Sequence, residues 1–378
     1  MAEDVILDYL QLINTNGIGP VSFHKLVAEY GSVKDALAAL AKKTDVFSKK
    51  EAEAELKSAH KNNVSVICLE DEAYPALIKE LNDAPPVLYV KGRVDLLNYP
   101  ASVSVVGSRN ASVIGRKIAS RLAYDLTNSD VLIVSGMARG IDSAAHKGAM
   151  YAKNQNGPTI AVLGTGVDVC YPEENKALYD QIIAQGALVS EFIMGEKANA
   201  SNFPRRNRLV AGLGAGVLVV EASVNSGSLI TARLGLEQGK DIFAVPGSPF
   251  DNKSGGCNQL IKDGALLIES ADDVLQTLAV TQNRTLKINQ NANLNAKPLD
   301  NDKKESMMQQ NTKTDVEPKG IVEVIGSSGI EQDDLIRHLG LPTSEALMKV
   351  TELELDGLVE RKNGSFLVLT KQGLRKLK

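Results

Sequence analysis

The chain has 378 residues, of which 43% are hydrophobic and 23% charged, with a formal net charge of -4 and an isoelectric point near 5.8. That length exceeds one ordinary domain, and the composition is that of a globular protein able to bury two or three cores. The acidic total excludes a global attraction to nucleic acid, so any such binding has to come from a localised basic surface.

The first residues, Met1-Ala2-Glu3-Asp4, are acidic and lack the basic start and apolar stretch of a secretion signal. No apolar run reaches the length that spans a bilayer. A cytoplasmic protein with no membrane association is expected. Cys68, Cys170 and Cys257 are odd in number, widely spaced and without a Cys-x-x-Cys pair. That pattern predicts buried thiols in a reducing compartment rather than a disulfide or a metal site.

Residues 1–65 carry helical periodicity: Leu7, Leu10, Leu12 and Ile13 lead to Asn16-Gly17-Ile18-Gly19-Pro20, then Phe23, Leu26 and Val27. Two short amphipathic helices around a Gly-Ile-Gly turn resemble a helix-hairpin-helix or SAM-like module, whose turn amides can hold a DNA phosphate. The turn contains no Lys or Arg and only Lys25 follows, which favours a plain helical hairpin.

Residues 66–280 predict an α/β domain with an extended Rossmann-like parallel sheet. After a strand over Val64 to Leu69, the prolines of Asp83-Ala84-Pro85-Pro86 exclude a helix and make the segment to Gly92 an extended entry into the sheet. Strand candidates follow at Val103 to Val106, Val131 to Val134, Thr159 to Leu163, Leu188 to Ser190, Val217 to Glu221 and Asp241 to Val245. These β-branched runs are apolar without alternation, as expected of strands covered on both faces by helices.

Residues 281–318 are rich in Asn, Gln and Lys and nearly free of large apolar side chains, the composition of a linker. Periodicity returns over 319–378. Leu335, Ile336, Leu339 and Leu341 precede Pro342-Thr343-Ser344-Glu345, where Thr343 or Ser344 can cap a helix carrying Leu347, Val350, Leu353 and Leu355. Leu358 to Arg361 and Phe366 to Leu369, joined through Lys362-Asn363-Gly364, predict a hairpin. Three helices and a hairpin make a winged helix. Its second long helix carries Glu345, Glu352, Glu354 and Asp356 against Lys349, which would repel a DNA backbone and favours a protein contact. The basic tail from Lys371 to Lys378 keeps duplex binding open.

Function is concentrated in the loops that follow the strands: Val106-Gly107-Ser108-Arg109, Ser135-Gly136-Met137-Ala138-Arg139-Gly140, Leu163-Gly164-Thr165-Gly166, Ser226-Gly227-Ser228 and Pro246-Gly247-Ser248. In a parallel sheet such loops gather at one edge, where their amides converge on an anion. Phe203-Pro204-Arg205-Arg206-Asn207-Arg208 adds three arginines and a ring on which a base can stack, with at least one arginine expected to turn inward and pair. Gly164-Thr165-Gly166 does not complete a dinucleotide fingerprint and no P-loop occurs, so no cofactor is expected. Ser135, Asp142 and His146 suggest a hydrolytic triad only weakly, since no nucleophile elbow accompanies them. Glu221 reads as an acceptor that orients a loop. With no Trp and 4% aromatics, phosphate contacts should dominate, with little sequence preference.

Taken together, Gly107-Ser108-Arg109, Ser135 to Asp142 with Ala145-His146, Gly164 to Asp168 with Tyr171-Pro172, Phe203 to Arg208, Ser226 to Ser228 with Thr231-Ala232, and Val245-Pro246-Gly247 resemble the DNA-processing protein A family, also called Smf. The resemblance implies a non-catalytic protein that binds single-stranded DNA in natural transformation, protects it and loads the RecA recombinase onto it. It also implies a homodimer. Carried onto this sequence, Arg109 matches the family's DNA-binding arginine and Phe203 to Arg208 its basic contact motif. The expected nucleic-acid site is Gly107, Ser108, Arg109, Ser135, Gly136, Arg139, Phe203, Arg205, Arg206, Arg208, Ser226, Gly227, Ser228, Lys240 and Lys262. Gly239-Lys240 stands where the family more often has Gly-Arg, and Ala198-Asn199-Ala200-Ser201 replaces a more proline-rich approach. The alternative is a nucleotide phosphoribohydrolase of the "lonely guy" group, weakened because Ser226 to Thr231 lacks that group's acid in register. A third reading, a regulator acting through the winged helix, requires residues 319–378 alone to bind duplex.

Overall fold

Nine strands form one sheet in the order β1-β2-β6-β5-β4-β3-β7-β8-β9. The computed structural model describes residues 3–154, 156 and 158–279, and separate positions between 324 and 370. The chain opens with four helices, α1 (Glu3–Asn14), α2 (Pro20–Tyr30), α3 (Val33–Leu40) and α4 (Lys49–Lys61). The Gly-Ile-Gly segment joins the first two, with Gly17 at φ +80°, where a side chain would be strained. β1 (Val64–Cys68), α5 (Ala76–Lys79) and β2 (Val87–Gly92) follow.

The alternating part comprises β3 (Ser102–Val106), α6 (Val113–Asn128), β4 (Leu132–Ser135), α7 (Ile141–Met150), β5 (Thr159–Val162), α8 (Lys176–Gln185) and β6 (Ala187–Ser190). It continues with α9 (Asn202–Leu213), β7 (Gly216–Val219), α10 (Ser228–Glu237), β8 (Asp241–Ala244), α11 (Gly255–Lys262) and β9 (Leu266–Leu267). Residues 271–279 are helical. From β6 to β9 every pairing is parallel, whereas β2 pairs antiparallel with β6 and β1 antiparallel with β2. The entry segment is therefore a full member of the sheet, and β9 is too short to have left a pattern in the sequence.

Neighbouring residues of a strand point to opposite faces, and both faces are covered. Val106, Val134, Val162 and Val219 meet Leu209 and Val210 of α9 and Ala232 of α10 on one face. Val103, Val105 and Ile133 meet α6, α7 and the 271–279 helix on the other. At the far end of that second face, Leu10, Phe23 and Leu56 of the N-terminal helices share one core with Val64, Tyr89 and Leu188. The arrangement is an extended Rossmann-like fold. Successive strands run outward from β3 through β4, β5 and β6, and the chain then returns to add β7, β8 and β9 on the other side. The reversal between β3 and β7 is the topological switch point, where adjacent loops diverge and leave a crevice.

The chain divides into two compact units, Met1–Lys297 and Pro298–Lys378. In the second, β10 (Ile330–Glu331) and β11 (Val359–Lys362) flank β12 (Phe366–Leu369), with Val359 opposite Leu369 and Lys362 opposite Phe366. Leu335, Val350, Leu353, Leu358 and Leu367 form its core, the arrangement of a winged helix. The predicted linker 281–318, Glu345, Glu352 and Asp356, the Asn363-Gly364 turn and the basic tail lie outside the described residues. Among the described residues no helix is long and apolar enough to cross a membrane.

Candidate nucleic-acid interface

At the switch point a cavity of about 390 Å³ opens between the loops after β3, β4 and β7, the middle of α9 and the first turn of α10. Its wall after β3 is built by close approach. A Cβ on Gly107 would lie 2.9 Å from the Glu221 carbonyl oxygen, and one on Gly140, at φ +80°, would overlap the Ser108 carbonyl. Ser108 N–H donates to the Glu221 carbonyl at 2.7 Å, and Ile141 N–H donates to that of Ser108 at 3.2 Å. The buried Glu221 carboxylate accepts from the Ser112 amide and hydroxyl, while Ser112 Oγ also caps α6 by accepting from Gly115 N–H at 2.8 Å. Glu221 thus orients the loop, and Arg109 at its apex is exposed.

The loop after β4 is occupied differently from the expectation. Met137 is buried at φ +61°, and Gly136 and Ala138 N–H both donate to Asp142 Oδ2, at 3.1 and 3.3 Å. Two amides that sequence alone offers to a ligand are therefore spent on the chain's own carboxylate. Arg206 backs them: Nη1 donates to the carbonyls of Gly136 and Val162. Gly136 lets the guanidinium lie close, since a Cβ would sit 2.7 Å from the Arg206 guanidinium carbon and displace it. Burial pushes the Asp142 carboxyl above its ordinary range, opposed by Arg206 and the two amides. Burial likewise brings Arg206 down to about 10, opposed by Asp142, so the guanidinium stays charged at neutral pH.

A second cavity of about 350 Å³ shares Arg109, Gly136, Ala138 and Arg206 with the first. Its other wall holds Tyr171 and Phe203, ring centroids 5.3 Å apart, with Arg109 lying 5.3 Å above the Phe203 ring. Gly164 makes room for that ring, since a Cβ would meet Phe203 Cδ1 at 2.9 Å. Arg139 reaches Glu174 at 3.5 Å on the rim. At the opposite side of the first cavity the hydroxyls of Ser226 and Ser228 are 2.7 Å apart, and Gly227 leaves the start of α10 without a side-chain cap, an end favourable to anions.

The structure gathers Gly107, Ser108, Arg109, Gly136, Arg206, Ser226, Gly227 and Ser228 in the first cavity, and Arg139 and Phe203 in the second. The other expected residues lie elsewhere. Ser135 is buried and donates its hydroxyl to the Val105 carbonyl at 2.6 Å. The three arginines cannot act as one cluster because a helix turns about 100° per residue. Arg208 pairs inward with Glu191 and donates to the Asp83 carbonyl at 2.8 Å. Arg205, half-exposed and 5.2 Å over the Phe192 ring, reaches the same Glu191 carboxylate at 3.8 Å. Lys240 immediately precedes β8, at the sheet edge opposite the strand-following loops, and Lys262 ends α11. Neither lines the two cavities. Tyr171, 45% exposed, was not among the expected site residues because its pairing with Phe203 joins a loop to the start of α9, although the Tyr171-Pro172 motif pointed to its segment.

The triad does not assemble. His146 is fully buried, with Nδ1 2.7 Å from Thr159 Oγ1, and that hydroxyl donates to the Ile133 carbonyl at 2.6 Å. The hydroxyl proton is thus committed, which places the imidazole proton on Nδ1. Burial holds His146 down to about 3. Because the unfolded chain binds this proton more tightly, stability is complete above about pH 6.5 and falls below it, by about 1.4 kcal/mol per pH unit for this group until pH approaches its folded value. Urea midpoints at pH 7.5 and 5.5 should show the loss in the wild type and a smaller one in His146→Asn, which keeps a donor for Thr159. Equal losses in both would exclude His146 as the cause.

Three family models match the chain: DNA recombination-mediator protein A over residues 65–279, the DprA-like N-terminal HHH domain over 3–58 and the DprA winged helix domain over 305–365. Over 205 residues the sequence is 48% identical to DNA processing protein DprA of Streptococcus pneumoniae, covering 54% of this chain and 71% of that protein. The X-ray structure of DprA from that species matches with a TM-score of 0.58 at 39% identity, covering 69% of this chain and 98% of the other. DNA processing protein A from Helicobacter pylori, a structure described by its single-stranded DNA binding mode, matches with a TM-score of 0.53 at 29% identity. That match covers 59% of this chain and 98% of the other.

Proposed function

This chain belongs to the DNA recombination-mediator protein A family, and on that footing we propose that it binds single-stranded DNA across the switch-point cavities and performs no chemistry on it. The observation that carries the reading is the run of contacts from Arg109, which lines both cavities, onto Phe203 and from Phe203 to Tyr171 in the second cavity. A cation beside one cavity and two rings beside the next suit a phosphate followed by an unstacked base. The H. pylori relative's single-stranded DNA binding mode supports a polymer as the ligand rather than a free nucleotide. Residues 66–280 form the binding core in this proposal, with 1–65 and 319–378 as accessory domains.

Against catalysis stands the commitment of the groups that chemistry would use. The Ser135 hydroxyl donates to a strand carbonyl, His146 is sealed against Thr159, and Glu221 holds Ser112. Titration of labelled single strand and duplex through a salt series should show preference for the single strand, with log affinity falling linearly in log salt. Failure of the single strand to bind at low salt, or release of free adenine from AMP, would replace this reading with the phosphoribohydrolase.

The proposal extends to the protein's setting: a cytoplasmic homodimer that protects incoming DNA in natural transformation and loads RecA onto it. Support for the dimer comes from β9, the last strand of the sheet, whose Leu266 and Leu267 are 43% and 47% exposed on an open edge. Sedimentation across a dilution series tests it, and a monomer at every concentration excludes it. Support for RecA is the family's description as a recombination mediator. Faster RecA assembly on a strand already bound by this protein is the expected result, and an unchanged rate removes that part.

A further inference from the structure

Phe250 is the most exposed large apolar side chain among the described residues, with a relative exposure of 95%. One exposed ring means nothing by itself, and what distinguishes this one is how its loop is fastened. The loop follows β8, so it stands on the same sheet edge as the switch-point cavity. Lys253 Nζ donates to the Asn110 carbonyl at 2.8 Å, and Asn110 lines that cavity beside Arg109. Gly256 N–H donates to the Ala222 carbonyl at 2.8 Å, tying the end of the loop to the segment that carries Ser226. The base is closed by Asn258, which accepts from Gly247 N–H at 3.1 Å and donates to the Gly247 carbonyl at 2.9 Å. The ring is thus held by a loop braced against two walls of the cavity.

The charges around it also fit a polyanion. Asp251 is the acid of the loop, and its carboxylate is engaged by Lys253 N–H at 3.0 Å and the Ser254 hydroxyl at 3.2 Å. The Lys253 ammonium uses one donor on Asn110, and its other protons can meet a phosphate. Phe203 lies against the loop after β5, whereas Phe250 follows β8. Between them are four inter-strand spacings, or about 19 Å.

We propose that Phe250 is a second stacking platform for a base of the same bound strand, on the far side of the switch point from Phe203, with Lys253 meeting an intervening phosphate. The inference rests on the reading of the cavities as a single-strand site. It makes recognition dependent on strand length, because a strand too short to cross about 19 Å engages one platform only. A base needs no more than one open ring, whereas a protein partner needs a buried patch of far larger area.

The chain contains no tryptophan, so Phe250→Trp places a single indole at the position in question. Titration with an oligothymidylate of about twenty nucleotides should quench its emission in step with binding of a labelled strand, whereas one of about two, too short to cross the gap, should leave it unchanged. Phe250→Ala should weaken the long strand by between about fivefold and a hundredfold and leave the short one unaffected. Unchanged emission while the long strand saturates overturns the platform and leaves the cavity reading intact. An emission change on raising protein concentration without DNA overturns it in favour of a contact between copies. If the wild type fails to bind any single strand, the cavity reading falls and the platform with it.

Discussion

Arg109→Ala is expected to lower single-strand affinity by roughly tenfold to a hundredfold at low salt and to reduce the salt slope by about 0.7, the share of one phosphate contact. The size follows from losing a charge-assisted hydrogen bond worth about 1.5–3 kcal/mol. Loss of the cation from the Phe203 face adds about 0.5–1 kcal/mol to whatever the base contributes there. Folding should change little, because the side chain is exposed and rests on the Phe203 ring, and its charge favours the Asp142 carboxylate while opposing the Arg206 guanidinium. Anisotropy titrations at several salt concentrations, with a thermal melt beside them, read both parts. Wild-type affinity in a mutant with a wild-type melt would remove Arg109 from the interface.

Arg206→Leu should behave in the opposite way, as a stability mutant first. Removing the guanidinium strips the Gly136 and Val162 carbonyls of their donor and leaves the buried Asp142 carboxylate without the nearby positive charge that opposes its burial. Breaking such an arrangement from one side costs about 3–5 kcal/mol. Adding Asp142→Asn should recover part of the loss, since the carboxamide oxygen can still accept from the Gly136 and Ala138 amides without a charge. Denaturant unfolding of the two single mutants and the double mutant measures the coupling. Strict additivity would mean that the two side chains do not support one another, and a small loss in Arg206→Leu would return this arginine to the ligand-facing set.

The contrast between these arginines marks where sequence stops being informative. The parallel strands were legible because double-sided burial leaves continuous apolar runs, as at Val131 to Val134. β9 was not, because two residues carry no period. The glycine loops were legible as close approaches, and Gly107, Gly136, Gly140 and Gly164 are each pressed against a neighbour. What each glycine approaches is set by tertiary contacts: a ring for Gly164, a guanidinium for Gly136. For the same reason an Asp six residues beyond Gly136 takes the amides that a bare loop would present. Arg205, Arg206 and Arg208 are neighbours in sequence, yet Arg205 and Arg208 meet at Glu191 while Arg206 enters the cavity wall, a consequence of helical rotation that becomes useful only once the packed face of α9 is known. Tyr171 and Phe203 meet across 32 positions in the chain, beyond the reach of any local pattern.

The outward-then-back strand order also has a consequence during synthesis. As the chain emerges, β4, β5 and β6 can join β3 in turn on one flank, while the other flank of β3 waits for β7, more than a hundred residues later. Throughout that interval an interior strand of the finished sheet is an open margin of unpaired backbone, the kind of surface that recruits neighbouring nascent chains. The crevice cannot exist before that margin closes, since its two sides belong to the early and late halves of the translation product. A ribosome that stops short of Gly216 therefore releases a sticky half-sheet with no binding site, and the core cannot be divided into an earlier and a later working piece.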